Sequence, residues 1–160
     1  MYCLTFAKPP KNFSPGLQVA GLFCEYQKTI LLLKRHPQKS QGNTWGIPAG
    51  KLEKGELPLR AVLREIHEEV GFSPSPDSVH PLGALYKQLF SSKEEALLGH
   101  QGISFTFHMF LTKLPSMPVI CLSLEENIEA KWVTVHEARQ LPLIAGAEEV
   151  LAFYHRRAHF

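Results

Sequence analysis

The stretch from Gly50 to Phe72 constrains the fold more than any other part of the chain. Within it, Pro58–Val70 reads as a helix: Leu59, Val62, Leu63, Ile66 and Val70 recur at steps of three and four, one apolar stripe that needs a core to face. Glu65, Glu68 and Glu69 stand at i, i+3 and i+4 and share a different face. Glu65 and Glu69 form a like-charge pair that costs an isolated helix roughly 0.2–0.5 kcal/mol. A divalent cation would turn that repulsion into attraction, and carboxylate oxygens are the hard ligands that magnesium or manganese prefers. Pro58 suits the first helical position and Gly71 the left-handed residue that stops a helix. Leu57 falls where Asp, Ser or Thr would cap the first turn, so backbone or a neighbouring side chain must satisfy those N–H groups.

A chain of 160 residues suits one domain that buries about two-thirds of its unfolded surface. Seventeen basic against fifteen acidic residues give a net charge of +2. That is too small to argue for a general nucleic-acid or membrane binder, and it leaves small phosphate ligands open. Cys3, Cys24 and Cys121 are odd in number and lack metal-ligand spacing, which argues against a disulfide framework and for a reducing compartment. The few apolar residues before Lys8 do not resemble a signal peptide, and no run reaches the ~18 apolar residues of a membrane span, so a cytoplasmic location is expected.

Five residues separate Gly50 from Glu56 and seven separate Glu56 from Arg64, after which the chain continues Glu65-Ile66-His67-Glu68-Glu69-Val70-Gly71-Phe72. This spacing resembles the signature of the Nudix (MutT-like) hydrolases at every defined position. The resemblance implies an α/β fold, a Nudix-type α/β/α sandwich around a mixed β-sheet, formed by residues 1–160 as a single domain. It also implies water attack on the diphosphate linkage of a nucleoside diphosphate derivative with Mg2+, or Mn2+ in its place. Glu65, Glu68, Glu69 and the backbone of Ala49 are then the candidate metal ligands, and Glu65 or Glu126 the candidate base. Arg64 orients the glutamates by bidentate hydrogen bonds. Glu56 braces the loop before the helix, and Gly50 permits a close backbone approach.

In chain order, residues 1–16 read as an irregular arm, with Tyr2–Phe6 as an edge-strand candidate. Residues 17–25 and Thr29–Arg35 suggest a hairpin whose basic end makes Lys34 and Arg35 substrate candidates. Trp45-Gly46-Ile47-Pro48-Ala49 resembles the Trp-Gly-hydrophobic-Pro-Gly-Gly approach of MutT-like members and leans towards (deoxy)nucleoside triphosphates. Trp45 is a further substrate candidate, with a flat face suited to a base or, more readily, to a core. Strands are expected at 82–90 and 103–111, with a polar loop at 91–102 carrying Glu94, Glu95 and His100. His108 reads as a satisfied sheet residue. Glu126 lies six residues before Trp132, where the family places a second acidic element, with Glu125 and Glu129 as alternates. A short helical segment at 135–140 and a closing helix at 144–157 complete the chain.

The expected partner is a small nucleotide, and the resemblance leaves a homodimer open. An RNA 5′-pyrophosphohydrolase needs a basic track that is not evident near the signature. A non-catalytic nucleotide-binding module would be suspected from a broken signature, and here every glutamate is present.

Overall fold

A computed structural model describes residues 1–158. The elements in order are β1 (Tyr2–Phe6), β2 (Leu17–Tyr26), β3 (Thr29–Arg35), β4 (Trp45–Gly46), β5 (Ala49–Lys51), α1 (Pro58–Val70), β6 (Val79–Phe90), α2 (Lys93–Leu97), β7 (Ile103–Lys113), β8 (Asn127–Val133), α3 (Val135–Ala138) and α4 (Ala147–Ala158), with a 3-10 turn at Pro76–Ser78. Strand β2 runs parallel to β7 while β1–β6, β6–β7, β2–β3 and β3–β8 are antiparallel, so the sheet is mixed.

The decisive topological feature is a fork. Gln27 and Lys28 both take positive φ, 48° and 66°, and close a two-residue turn whose twist suits a hairpin. Strands β2 and β3 pair only beside that turn, at Glu25↔Ile30 and Tyr26↔Thr29, and then part. The chain from Trp45 to Lys51 fills the opening: β4 pairs with β3, β5 pairs with β2, and Leu22 donates to the Pro48 carbonyl at 3.0 Å. The signature helix follows this wedge after a loop at residues 52–57.

The two faces of the sheet carry separate cores. Helix α1 buries Ala61, Val62, Ile66 and Val70 against Ala20, Leu22, Leu31 and Leu33. Helix α4 buries Val150, Leu151, Phe153 and Tyr154 against Phe23, Ile30, Leu32 and Met109. Successive residues of a strand point to opposite faces, so β2 from Ala20 to Cys24 is buried on both sides. This is the α/β/α sandwich expected from the signature.

Helix α1 occupies the expected residues. Gly71 takes φ 77° and its N–H donates to the His67 carbonyl at 3.0 Å, while Leu57 supplies no side-chain cap. Two further carbonyls of its last turn are met from a distance in sequence, by Cys121 N–H on Val70 at 2.9 Å and Ser123 N–H on Glu69 at 3.1 Å. Residues 119–124 thus form no strand and serve as a cover for the helix end.

The edge strand expected at Tyr2–Phe6 is present as β1, paired with β6 from Tyr2↔Phe90 to Phe6↔Tyr86. Three expectations are corrected. Strand β6 begins at Val79 and contains Pro81, tolerated because the ladder shifts register between Pro81 and Gly83. The 91–102 loop contains α2, started by Ser92, whose hydroxyl accepts from Glu95 N–H at 3.2 Å. The closing helix starts at Ala147 rather than at residue 144.

Helix α4 is fixed by one residue above others: the Tyr154 ring stacks on Phe23 with centroids 4.4 Å apart, and its hydroxyl donates to the Glu25 carboxylate. Tyr154→Phe is expected to cost about 1–3 kcal/mol by leaving an acceptor unmet, and Tyr154→Ala about 3–5 kcal/mol. Urea unfolding of both variants checks this. Equal midpoints for the two would show that ring packing contributes nothing.

Candidate active site

Beside the fork lies a cleft of about 860 Å3. Glu65, Glu68 and Glu69 of α1, Ala49 and Gly50 of the wedge, Arg35 at the end of β3, and Glu125 and Glu126 before β8 all line it. Folding thus brings the signature helix and the later acidic segment to one opening.

Arg64 organises the acids. Its Nε and Nη2 both bond Glu56, each at 2.9 Å; Nη1 donates to Glu65 at 2.7 Å and to Glu68 at 3.3 Å; Nη2 also reaches the Lys51 carbonyl at 3.0 Å. The planar guanidinium is suited to such a fork, which locks the loop before α1 to the carboxylate face. Hydrogen bonding from Arg64, assisted by the Glu53 backbone, holds the Glu56 carboxyl down at about 2. Glu56 therefore stays charged throughout the neutral range.

The other acids are pushed the opposite way. Burial raises Glu65, and the Arg64 bond only partly restores it. Glu69 is raised to about 8, mainly by burial and further by the charges of Glu65 and Glu126, although the Ala49 amide donates to it. Gly50 has a specific reason to lack a side chain: a Cβ there would overlap the Glu65 carboxylate. The close approach expected of Gly50 is thus first of all an approach to Glu65.

Glu126 is held at the mouth by Lys39, whose Nζ lies 2.8 Å from its Oε1, with both side chains about half exposed. The Glu126 carbonyl accepts from the His36 N–H at 2.8 Å, which ties the loop after β3 to the acidic segment. Lys39 was not among the residues expected from sequence, because it sits in a polar loop with no pattern to mark it.

Three candidates lie elsewhere. Trp45 packs in the α4-side core at 3% exposure, with Lys131 Nζ 5.1 Å from its ring centre, and does not line the cleft. Lys34 does not line the cleft, and a register shift in the β3–β8 ladder separates it from Arg35. Glu129 pairs with Lys34 in the β8 ladder, away from the opening. His108 bonds Gln18 at 2.7 Å, and Glu94, Glu95 and His100 lie outside the cleft wall.

Among the described residues, no three acidic, histidine or cysteine side chains converge tightly enough to hold a cation as they stand. The donor chemistry nevertheless fits one. Three hard carboxylates crowd one helix face, two of them with raised proton affinity, and the Glu68 side chain, 56% exposed, has room to close the set.

A family model described as the NUDIX domain matches residues 15–154. The chain belongs to the NUDIX domain family. Among relatives, the ADP-ribose pyrophosphatase of Methanocaldococcus jannaschii is 32% identical over 89% of this chain and 74% of that protein. The human 8-oxo-dGDP phosphatase NUDT18 is 26% identical over 83% of this chain and 36% of its own length. The chain spans less than half the length of the first curated relatives it matches. The NUDIX domain of Shewanella oneidensis NrtR, solved with ADP ribose, shares the fold with a TM-score of 0.71 over 95% of this chain and 94% of that one, at 17% identity. Among the described residues, no helix is long and apolar enough to cross a membrane.

A carboxyl whose folded pKa lies above its unfolded value contributes stability that is complete below the unfolded value and is lost as pH rises through the folded one. With Glu69 raised from 4.5 to about 8, the metal-free protein is expected to lose stability between pH 5 and 8.5. Glu69→Gln is expected to flatten this part of the profile. Thermal melting of both proteins across that range is the measurement, and parallel profiles would contradict the assignment.

Proposed function

We propose that this NUDIX chain is a Mg2+-dependent pyrophosphohydrolase that cleaves the diphosphate linkage of a nucleoside diphosphate derivative, with (deoxy)nucleoside triphosphates as the first class to test. One observation carries the reading: a helix face of three carboxylates, organised by a guanidinium, opens onto a cleft large enough for a nucleotide. Two relatives, named an ADP-ribose pyrophosphatase and an 8-oxo-dGDP phosphatase, support the reaction class.

A pyrophosphate repels nucleophiles with its own charge, and the leaving phosphate gains more as the bond breaks. Mg2+, when bound, would supply the countercharge and make water easier to deprotonate. Glu65, Glu68 and Glu69 are the side chains that would hold it, with the Ala49 backbone beside them. The chain's own part is to orient these groups and accept a proton. Arg64 fixes Glu65 through Oε1, which leaves Oε2 as an acceptor; Lys39 likewise bonds Glu126 at Oε1 and leaves its Oε2. These two oxygens are the candidate proton acceptors. Arg35, whose charge acts on Glu69 and whose Nε is anchored to the Ser40 carbonyl at 2.8 Å, stands on the same wall to meet phosphate.

Turnover by Glu68→Gln and Glu69→Gln is expected to fall roughly a hundredfold or more, by analogy with the loss of one transition-state contact. Glu126→Gln, set against Glu65→Gln, identifies the base, since only loss of the base removes the lower limb of the pH–rate profile. The assay is a panel of nucleoside triphosphates, nucleotide sugars, ADP-ribose and dinucleoside polyphosphates with Mg2+, reading phosphate with and without a coupled phosphatase. Silence across the panel, or near-normal turnover in both glutamine variants, would refute the proposal.

A further inference from the structure

The cleft wall away from the carboxylates contains an apolar row broken at one point. On β6, Leu85, Lys87 and Leu89 share the α4-facing side, in register with Phe107, Phe105 and Ile103 of β7. Lys87 is 3% exposed and lines the cleft. Its Nζ donates to the Gly146 carbonyl at 3.0 Å and lies 5.4 Å from the centre of the Phe107 ring. The backbone makes room for it: a Cβ on Gly146 would fall 2.7 Å from the Nζ and 2.8 Å from Cys3 Sγ.

A leucine or methionine would fill the same row without the cost of desolvating a cation. An ammonium carries three donors and Gly146 takes one. Among the described residues, Lys87 forms no ion pair; Glu149 acts on it only through its charge, and burial holds its proton affinity below the ordinary lysine range. A buried cation with unused donors, set among Val19, Leu89, Phe105 and Phe107, is equipped to meet a flat ring that bears an acceptor on its edge.

We infer that Lys87 is the base-reading residue of this cleft, donating to the 6-carbonyl of a purine, so that 6-oxopurine nucleotides are bound in preference to adenine nucleotides. Adenine presents an exocyclic amino donor at that position, and a donor facing an ammonium leaves both unmet. The inference rests on the function proposed above, in that it sets the phosphates against α1 and the base at the far end of the cleft.

Inosine and adenosine 5′-monophosphates differ at the 6-position, and as monophosphates they are bound without being cleaved at a diphosphate. Calorimetric titration is expected to show inosine monophosphate binding about tenfold or more tightly than adenosine monophosphate, the scale of one hydrogen bond to a charged group. In Lys87→Met the ratio is expected to fall to near one, mainly through weaker inosine monophosphate binding. Purine riboside 5′-monophosphate, which has no 6-substituent, tests the same point without any variant and is expected to bind less tightly than inosine monophosphate. Equal affinities in the unaltered protein, a ratio that survives Lys87→Met, or purine riboside binding as tightly as inosine monophosphate would each overturn the inference. Base selectivity without hydrolysis of any diphosphate would sink the proposed activity and leave this inference standing. Hydrolysis without base selectivity would do the reverse.

Discussion

The parting of β2 and β3 after two residue pairs is the constraint on which the other features depend. A hairpin paired along its whole length would give a continuous sheet with no opening. Because the strands diverge, the chain at 45–51 must fill the fork by pairing with both, and that wedge sets where α1 starts. The cleft is therefore a product of backbone pairing, with side chains added to its rim.

Charge is then distributed against the usual rule that acids stay in water. Burial leaves Glu65 and Glu69 with raised proton affinity, while the Arg64 fork keeps Glu56 strongly acidic a few residues away. One guanidinium serves both ends of this contrast. It stabilises the bracing carboxylate outright and only partly satisfies the buried one, so the remaining demand for positive charge points into the cleft. Arg35 at the end of β3 and Lys39 in the loop after it approach from the facing side, and Lys39 is already engaged with Glu126. The carboxylate end of the cleft is thus left short of positive charge.

The sequence showed these features unevenly, for physical reasons. Helix α1 was legible to the residue because an apolar stripe, an N-terminal proline and a C-terminal glycine all report locally. The layered architecture came from the signature, since periodicity alone gives only mixed α and β. Strand β1 was legible as an edge strand, but its partner was not, because residues 86–90 lie far along the chain. The role of residues 119–124 was hidden because their contribution is backbone N–H groups, which every residue but proline has. Trp45 carried two readings, and burial decided for the core. Lys87 did leave a trace, a lone cation between Leu85 and Leu89 on an apolar strand face, but a single lysine in a strand is easily taken for an exposed one.

The parallel pairing of β2 with β7 has a consequence for the order of assembly. The two strands are far apart in sequence, so their union waits on closure of a long loop, whereas α1 and the β2–β3 turn rest on neighbouring residues. On a growing polypeptide, the acidic helix can form while the wall that will carry Phe105 and Phe107 has yet to leave the ribosome. Its apolar stripe and its crowded carboxylates then face solvent together, and only arrival of the second half of the chain gives each its proper surroundings.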